Sequence, residues 1–130
     1  KKIRINLKDC FVPFGLEEYN EKYVLNFEIG KNKEFEEMIM KLEDEVNNLL
    51  ENTFVVKSVL SKREKYDKLC KGHIIKNRNK IISKYIKDKN ELSMFDLEKG
   101  KKYNLELEIS GIWIFKNTAG YYINIINIRE

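Results

Sequence analysis

The segment from Lys102 to Lys116 constrains the fold most, because its pattern predicts one long β-strand with a single interruption. Its apolar residues stand at alternate positions, Tyr103, Leu105, Leu107 and Ile109, with polar residues between them. Such alternation is typical of a strand with one buried face. Gly111 then breaks the pattern, and a glycine inside a strand predicts a bulge or sharp bend, which a small barrel needs at its corners.

Other stretches repeat this alternation at shorter length. We predict further strands over residues 2–8, 22–29, 54–60, 71–76, 81–87 and 121–129. Gly30 is expected to end the second of these strands. A turn at Asn77-Arg78-Asn79 would join two of the others into a long hairpin, and residues 117–120 would form a short hairpin connection. Residues 88–102 are predicted to form a loop or a short helix.

One segment has helical rather than strand periodicity. Its apolar residues recur at spacings of three and four, which makes one stripe of an amphipathic helix over about residues 33–51. Asn32 is a plausible N-cap, and Glu34, Glu36 and Glu37 suit the positive end of the helix dipole. The opposite face is acidic, so we expect the apolar stripe to pack on the core.

Together these elements predict a single domain over residues 1–130. The fold class is mainly β with one inserted α-helix, arranged as a small, partly closed antiparallel Greek-key barrel. An open sheet with the helix across one face is the alternative. Cys10 and Cys70 are too few and too far apart in sequence to indicate a disulfide framework, and free thiols in a reducing compartment fit better.

Positive charge is concentrated in one part of the chain. Residues 57–89 contain twelve of the 25 basic residues but only three acidic ones, whereas the rest of the chain is mildly acidic. Tyr66 and Tyr85 lie within this basic region. Cationic residues interleaved with aromatic residues suit a flexible polyanion, whose phosphates and bases they can bind. The alternative is a solvated, lysine-rich face.

Enzyme motifs are absent from the sequence. It contains no glycine-rich phosphate loop, no Cys-x-x-Cys pair and no serine nucleophile elbow, so we predict a protein that is not an enzyme and needs no cofactor or metal. Glu106 and Glu108 share one strand face and could bind a divalent ion as a nuclease pair. No third acidic residue accompanies them at a diagnostic spacing, so we rank this reading last.

Unpaired nucleic acid is bound by a basic groove that follows the phosphates and by flat rings on which bases stack. The position of Trp113 and Phe115 depends on Gly111, since an uninterrupted strand would bury both rings and a bulge would turn them to the other face. The candidate nucleic-acid-binding residues are Lys57, Lys62, Arg63, Lys65, Tyr66, Lys68, Lys71, Arg78, Lys80, Lys84, Tyr85, Lys87, Trp113, Phe115 and Tyr122.

Several short motifs resemble a known family. The segment Phe14-Gly15-Leu16-Glu17-Glu18-Tyr19-Asn20, followed by residues 22–27, is similar to the opening strands of single-stranded-DNA-binding proteins of tailed phages and large DNA viruses. Three further features follow in the same order as in that family. They are the helix, the basic middle region and a final segment that contains Gly111-Ile112-Trp113-Ile114-Phe115 and Gly120-Tyr121-Tyr122. The resemblance implies an OB-like nucleic-acid-binding domain, with Trp113, Phe115 and the basic residues lining the DNA groove.

The resemblance also implies partners and a place of action. It implies non-sequence-specific binding of single-stranded DNA in viral or phage DNA replication or recombination, in the cytoplasm or nucleus of an infected host cell. Such proteins commonly end in an acidic tail that recruits replication proteins, but this sequence stops at Ile128-Arg129-Glu130. Either that tail has been removed from this sequence, or the protein recruits replication proteins in a different way.

Other partner questions stay open in the sequence. RNA is the alternative ligand, because stacking on a ring does not read the 2′-hydroxyl. An exposed edge strand could pair two copies into a homodimer. We expect no membrane partner, since no apolar run approaches a membrane span. The competing function is a viral structural or protein-interaction module that does not bind nucleic acid.

Overall fold

The fold was obtained as a computed structural model, which describes residues 3–29, 32–51, 53–63 and 65–130. Within these ranges the chain forms strands, one α-helix and a short 3-10 helix, Met94–Asp96. The helix α1 spans Lys33–Leu49. The strands are β1 Ile3–Val12, β2 Leu16–Tyr19, β3 Lys22–Glu28, β4 Val55–Val56, β5 Leu60–Ser61, β6 Leu69–Ile74, β7 Lys76–Asn77, β8 Lys80–Ile81, β9 Lys84–Lys87, β10 Asn90–Leu92, β11 Lys101–Phe115 and β12 Thr118–Arg129.

Most of these strands belong to one mixed sheet. Its main path runs β1-β11-β12-β6-β3-β2, so the mainly β prediction is confirmed. The prediction of purely antiparallel strands is wrong, because β12 pairs in parallel with β4, β6 and β9 in turn. Over the described residues no ladder joins β1 to β2, the two ends of the path, and the sheet does not close into a barrel.

The predicted long hairpin around Asn77-Arg78-Asn79 takes a different form. A turn does lie there, but it joins only the two-residue strands β7 and β8, which form a separate small sheet. The flanking strands go elsewhere: β6 pairs with β3 and β12, while β9 pairs with β10 and β12. The expected strand end at Gly30 lies outside the described residues.

The helix covers the inner face of the sheet, as its apolar stripe predicts. Phe35, Ile39 and Val46 are buried against strand residues, and the Tyr121 hydroxyl donates a hydrogen bond to the Ile39 carbonyl at 3.3 Å. Burying each such side chain contributes about 1.5–3 kcal/mol. Asn32 precedes the helix, but its side chain makes no capping hydrogen bond. No described helix has the length and apolar character required to cross a bilayer.

The two cysteines are part of this core. Cys10 and Cys70 are buried and free, which confirms the prediction of free thiols. Burial raises the pKa of the Cys10 thiol to about 12, with a smaller contribution from the nearby Asp9 carboxylate. Both thiols therefore stay protonated and act as small apolar core groups.

The bulge predicted at Gly111 is confirmed. Its φ of 65° lies in the left-handed region, which favours glycine, and the β11–β12 register shifts between Ser110 and Ile112. Because β11 has one extra residue at the bulge, the side chains after Gly111 point to the opposite faces of the sheet from those that an uninterrupted strand would give them. Ile112 then faces the helix side with its cross-strand partner Tyr121, while Trp113 faces the opposite side.

Candidate functional site

The face of β3, β6, β12 and β11 that is turned away from the helix carries an unusual set of side chains, and we call it the outer face. Cross-strand register and alternation assign residues to it, because side chains on neighbouring strands point the same way where the strands pair. His73 pairs with Asn124, and Tyr122 pairs with Ser110. The outer-face residues that concern binding are Lys22, Lys71, His73, Lys84, Trp113, Phe115, Tyr122 and Asn124.

Gly120 makes room for Trp113 on this face. The two residues are cross-strand partners, and a Cβ atom at Gly120 would lie only 2.7–2.8 Å from three atoms of the indole. The ring therefore lies directly against the backbone of β12 and is half-buried. Phe115, two residues further, is 65 % exposed, and the Lys116 ammonium lies 5.4 Å from its ring centroid.

A groove begins beside these rings. His73 and Tyr122 meet edge to face there, with ring centroids 6.3 Å apart and planes at 73°. The groove has a volume of about 460 Å³ and is lined on its other sides by Lys22, Lys76 and Arg78. Tyr122 is 43 % exposed, so one part of its ring is open to a ligand.

The surroundings of His73 in the groove lower the pKa of its imidazole. Burial, and then the Lys71 and Lys22 ammonium groups, lower the pKa of His73 below its usual value. The imidazole is therefore neutral at pH 7 in the free protein. A negative group entering the groove would offset the lysine charges and raise this pKa again.

Five cations around the outer face form no ion pair with a carboxylate of the described residues. None of the ion pairs found among the described residues involves Lys22, Lys57, Lys71, Arg78 or Lys84. Lys71 instead lies 5.7 Å from the ring centroid of Tyr19. Lys57 adjoins the same surface, since its backbone N–H donates to the Ala119 carbonyl. Unneutralised cations beside open rings leave this surface ready for an anionic ligand.

The acidic pair on the outer face is already occupied. The Arg4 guanidinium lies 3.3 Å from Glu106 and 3.4 Å from Glu108, and the Asn127 amide donates to Glu106 at 2.7 Å. Searching the described residues for three or more His, Cys, Asp or Glu side chains that could hold a metal ion found none. This arrangement gives no support to Glu106 and Glu108 as a metal-dependent nuclease pair.

The remaining residues of the predicted site do not all converge on the groove. Arg63 and Tyr66 lie against the β1–β2 connection, where both contact the Phe14 ring, at centroid distances of 4.8 and 5.2 Å. Lys62 bonds backbone carbonyls of its own loop, and Lys68 pairs with Glu36 of the helix. Lys65 and Lys80 are exposed without a ring beside them.

Two further predicted residues, one buried and one exposed, both pair with Glu130. Tyr85 is only 2 % exposed, packs edge to face on Tyr103 and donates a hydrogen bond to Glu130, so burial removes it from the stacking platforms. Lys87 lies 3.7 Å from the same Glu130 carboxylate, which also pairs with Lys101. Their basic neighbours in sequence made both residues resemble site residues.

Four groove residues that concern binding were missed by the sequence analysis: Lys22, His73, Lys76 and Asn124. Lys22 lies outside the basic region, and His73 was not among the candidate residues. The predicted strand over residues 71–76 contained the signal, since alternation places Lys71 and His73 on one face. Lys22 reaches the groove through β3, whose pairing with β6 is a long-range contact.

A scan against protein-family models, a search of curated proteins and a search of solved structures each found no match. The resemblance to single-stranded-DNA-binding proteins therefore stays a prediction, and function has to be inferred from the geometry of the outer face.

Proposed function

We propose that this protein binds single-stranded nucleic acid, DNA in the first place, along its outer face and without sequence specificity. The observation that carries the proposal is the bulge at Gly111. Because of it, Trp113 and Phe115 share a face with Tyr122 and His73, and unpaired cations flank that face. We propose further that the mixed sheet is a variant of the OB-like arrangement, with the ligand on its exposed side.

Each element of the surface has a role in this proposal. Tyr122 and the exposed parts of Trp113 and Phe115 offer ring faces to bases, each stack being worth about 1–3 kcal/mol. Lys22, Lys71 and Arg78 neutralise phosphates as the strand passes the groove. Asn124 lies beside His73 and can bond to either donors or acceptors of a base. None of these roles distinguishes one base from another.

The same roles explain a preference for unpaired strands. The bases of a duplex are stacked on each other, so their faces are not accessible to Tyr122 or Trp113. A duplex would gain the phosphate contacts alone, which provide non-specific affinity that falls with salt. A role in viral or phage replication or recombination is part of the proposal, and it is supported by the resemblance of the short motifs.

The direct test is a fluorescence-anisotropy titration with a labelled single-stranded oligonucleotide at several salt concentrations. Six cations border the outer face: Lys22, Lys57, Lys71, Lys76, Arg78 and Lys84. If each neutralises one phosphate, the plot of log affinity against log salt has a slope of about −4, at about −0.7 per phosphate. A duplex of the same length is the control. Equal affinity for the duplex, or a slope near zero, would contradict the proposal.

The affinity should also depend on pH through His73. Its pKa is lowered in the free protein, and phosphates in the groove stabilise the protonated form, so bound ligand raises it. Affinity should therefore rise as the pH falls through the raised pKa of the bound state towards the pKa of the free protein, which lies below the usual histidine value of 6.5. His73→Gln removes the single histidine of the chain and should abolish this rise. The same pH dependence in the variant would place its origin outside the groove.

A further inference from the structure

The end of the β11–β12 hairpin has an open strand edge. On one side β11 pairs with β12 as far as Phe115, opposite Thr118. On the other side its pairing with β1 stops at Ile109, opposite Ile3. Among the described residues, no strand pairs with Ile112–Phe115 on that side. An open edge presents unpaired backbone N–H and C=O groups to another strand.

This edge lacks the usual protection against pairing. The five residues from Gly111 to Phe115 include no charge and no proline, and charged residues or prolines are what commonly block an exposed edge. Ile112, Ile114 and Phe115 are 43 %, 55 % and 65 % exposed. Beside the edge lies an apolar groove of about 380 Å³ between α1 and β11, lined by Leu42, Val46 and Leu49 among others.

We propose that a second copy of this chain pairs with this edge, antiparallel, about a two-fold axis at Trp113. In this register Trp113 lies opposite Trp113 of the second copy, and Ile112 lies opposite Ile114. Phe115 lies opposite Gly111, where a Cβ atom would meet nothing within 4 Å, so the ring finds open space. An aromatic side chain that covers a cross-strand glycine is a known means of stabilising a sheet edge.

A second copy suits this edge because the segment is complementary to itself. A two-fold axis brings the same surface of both copies together, so an isologous contact requires such complementarity. Among the described residues, the proposed register opposes no like charges, since Lys116 lies opposite Ser110. Phe115 at one end of the segment meets Gly111 at the other end of the same segment in the second copy. The isoleucines of both copies meet on the helix side, beside the apolar groove of each copy.

The dimer would join the two outer faces. Trp113 and Phe115 of both copies would lie on one side of a continuous sheet, doubling the length of the ring-bearing surface. Dimerisation is measured without nucleic acid, so its test does not depend on the proposed nucleic-acid binding.

Sedimentation-velocity centrifugation of the whole chain over a series of concentrations tests the pairing. We expect a monomer–dimer equilibrium for the unmodified protein. Ile114→Lys should weaken the association constant at least about a hundredfold, because two charges per dimer would be desolvated without partners. Met40→Lys is the matched control, since Met40 is similarly exposed but lies on α1, and it should leave the equilibrium unchanged. Circular dichroism establishes that both variants are folded.

A cysteine at the two-fold axis tests the register. Trp113→Cys should form a disulfide-linked dimer under mild oxidation, because the native Cys10 and Cys70 are buried and do not compete. Thr118→Cys, on the paired side of the hairpin, should not. A protein that is monomeric throughout, a dimer that survives Ile114→Lys, or equal cross-linking of both cysteine variants would each overturn the proposal.

Discussion

Reversing three charges of the groove, Lys22→Glu with Lys71→Glu and Arg78→Glu, should reduce the affinity for a single-stranded oligonucleotide by about a thousandfold at low salt. The physical reason is that polyanion binding depends on the number of phosphates neutralised, and here each attraction is replaced by repulsion. Because three phosphates would no longer be neutralised, at about 0.7 each, the log–log salt slope should also become less steep by about 2. Anisotropy titration of both proteins at several salt concentrations measures the two quantities.

The control for this experiment has the same net charge. Lys8→Glu with Lys41→Glu and Lys99→Glu changes the charge of the protein equally, but none of these lysines lines the groove. Its affinity should fall only slightly, through the overall field of the protein. If the two triple variants lose affinity equally, binding depends on net charge and the groove has no special role. All three groove residues are exposed, so thermal unfolding should hardly change.

Removing the stacking rings should have the second-largest effect. Tyr122→Ala and Trp113→Ala should each weaken single-strand binding by about 1–3 kcal/mol, and together by about 2–6 kcal/mol if two separate bases lose their ring faces. The salt slope should stay the same, because no phosphate contact changes. Anisotropy at fixed salt gives the affinities, and the salt series separates this effect from that of the charge reversals.

Two control variants make the stacking result specific. Tyr122→Phe keeps the ring and should keep most of the affinity, whereas loss of binding in this variant would mean that the hydroxyl matters rather than the ring. Phe95→Ala removes another exposed aromatic side chain, which packs on Tyr23 and is not among the residues that line the groove. A loss in Phe95→Ala as large as in Tyr122→Ala would contradict the assignment of the outer face. Ile114→Lys, measured in parallel, separates stacking from dimer formation, since Trp113 takes part in both proposals.

The faces of the strands could be predicted from the sequence more reliably than their partners. Alternation in residues 103–109 gave the buried side of β11, and Gly111 gave the bulge, because both signals are local. The parallel neighbours of β12 had no local signal. The alternation of apolar residues does not fix the direction of pairing, and the choice depends on segments far away in sequence, such as β4, where Thr118 pairs with Val55, 63 residues earlier. Short links do join antiparallel neighbours, as in β2–β3 and β11–β12, but they carry no information on the parallel neighbours of β12.

The candidate site was predicted in part for a similar reason. A count of charges along the chain found Lys71 and Arg78, which do line or flank the groove, and it also included Lys68, which pairs with the helix. Proximity in sequence cannot separate these cases, since Lys68 immediately precedes β6 and Lys71 lies within it. Tyr85 shows the same limit, because two exposed neighbours, Lys84 and Lys87, concealed a strand position that points into the core.

The central place of β12 has a consequence for how the protein is made. This last strand contacts β11 on one side and β4, β6 and β9 on the other, so it joins segments from much of the chain. Contacts between residues far apart in sequence slow folding, because loops must close before the contacts form. During synthesis β4, β6 and β9 have no β12 to pair with. Their apolar faces therefore stay exposed, where they can bind chaperones or aggregate. The native sheet can therefore assemble only after β12 has left the ribosome.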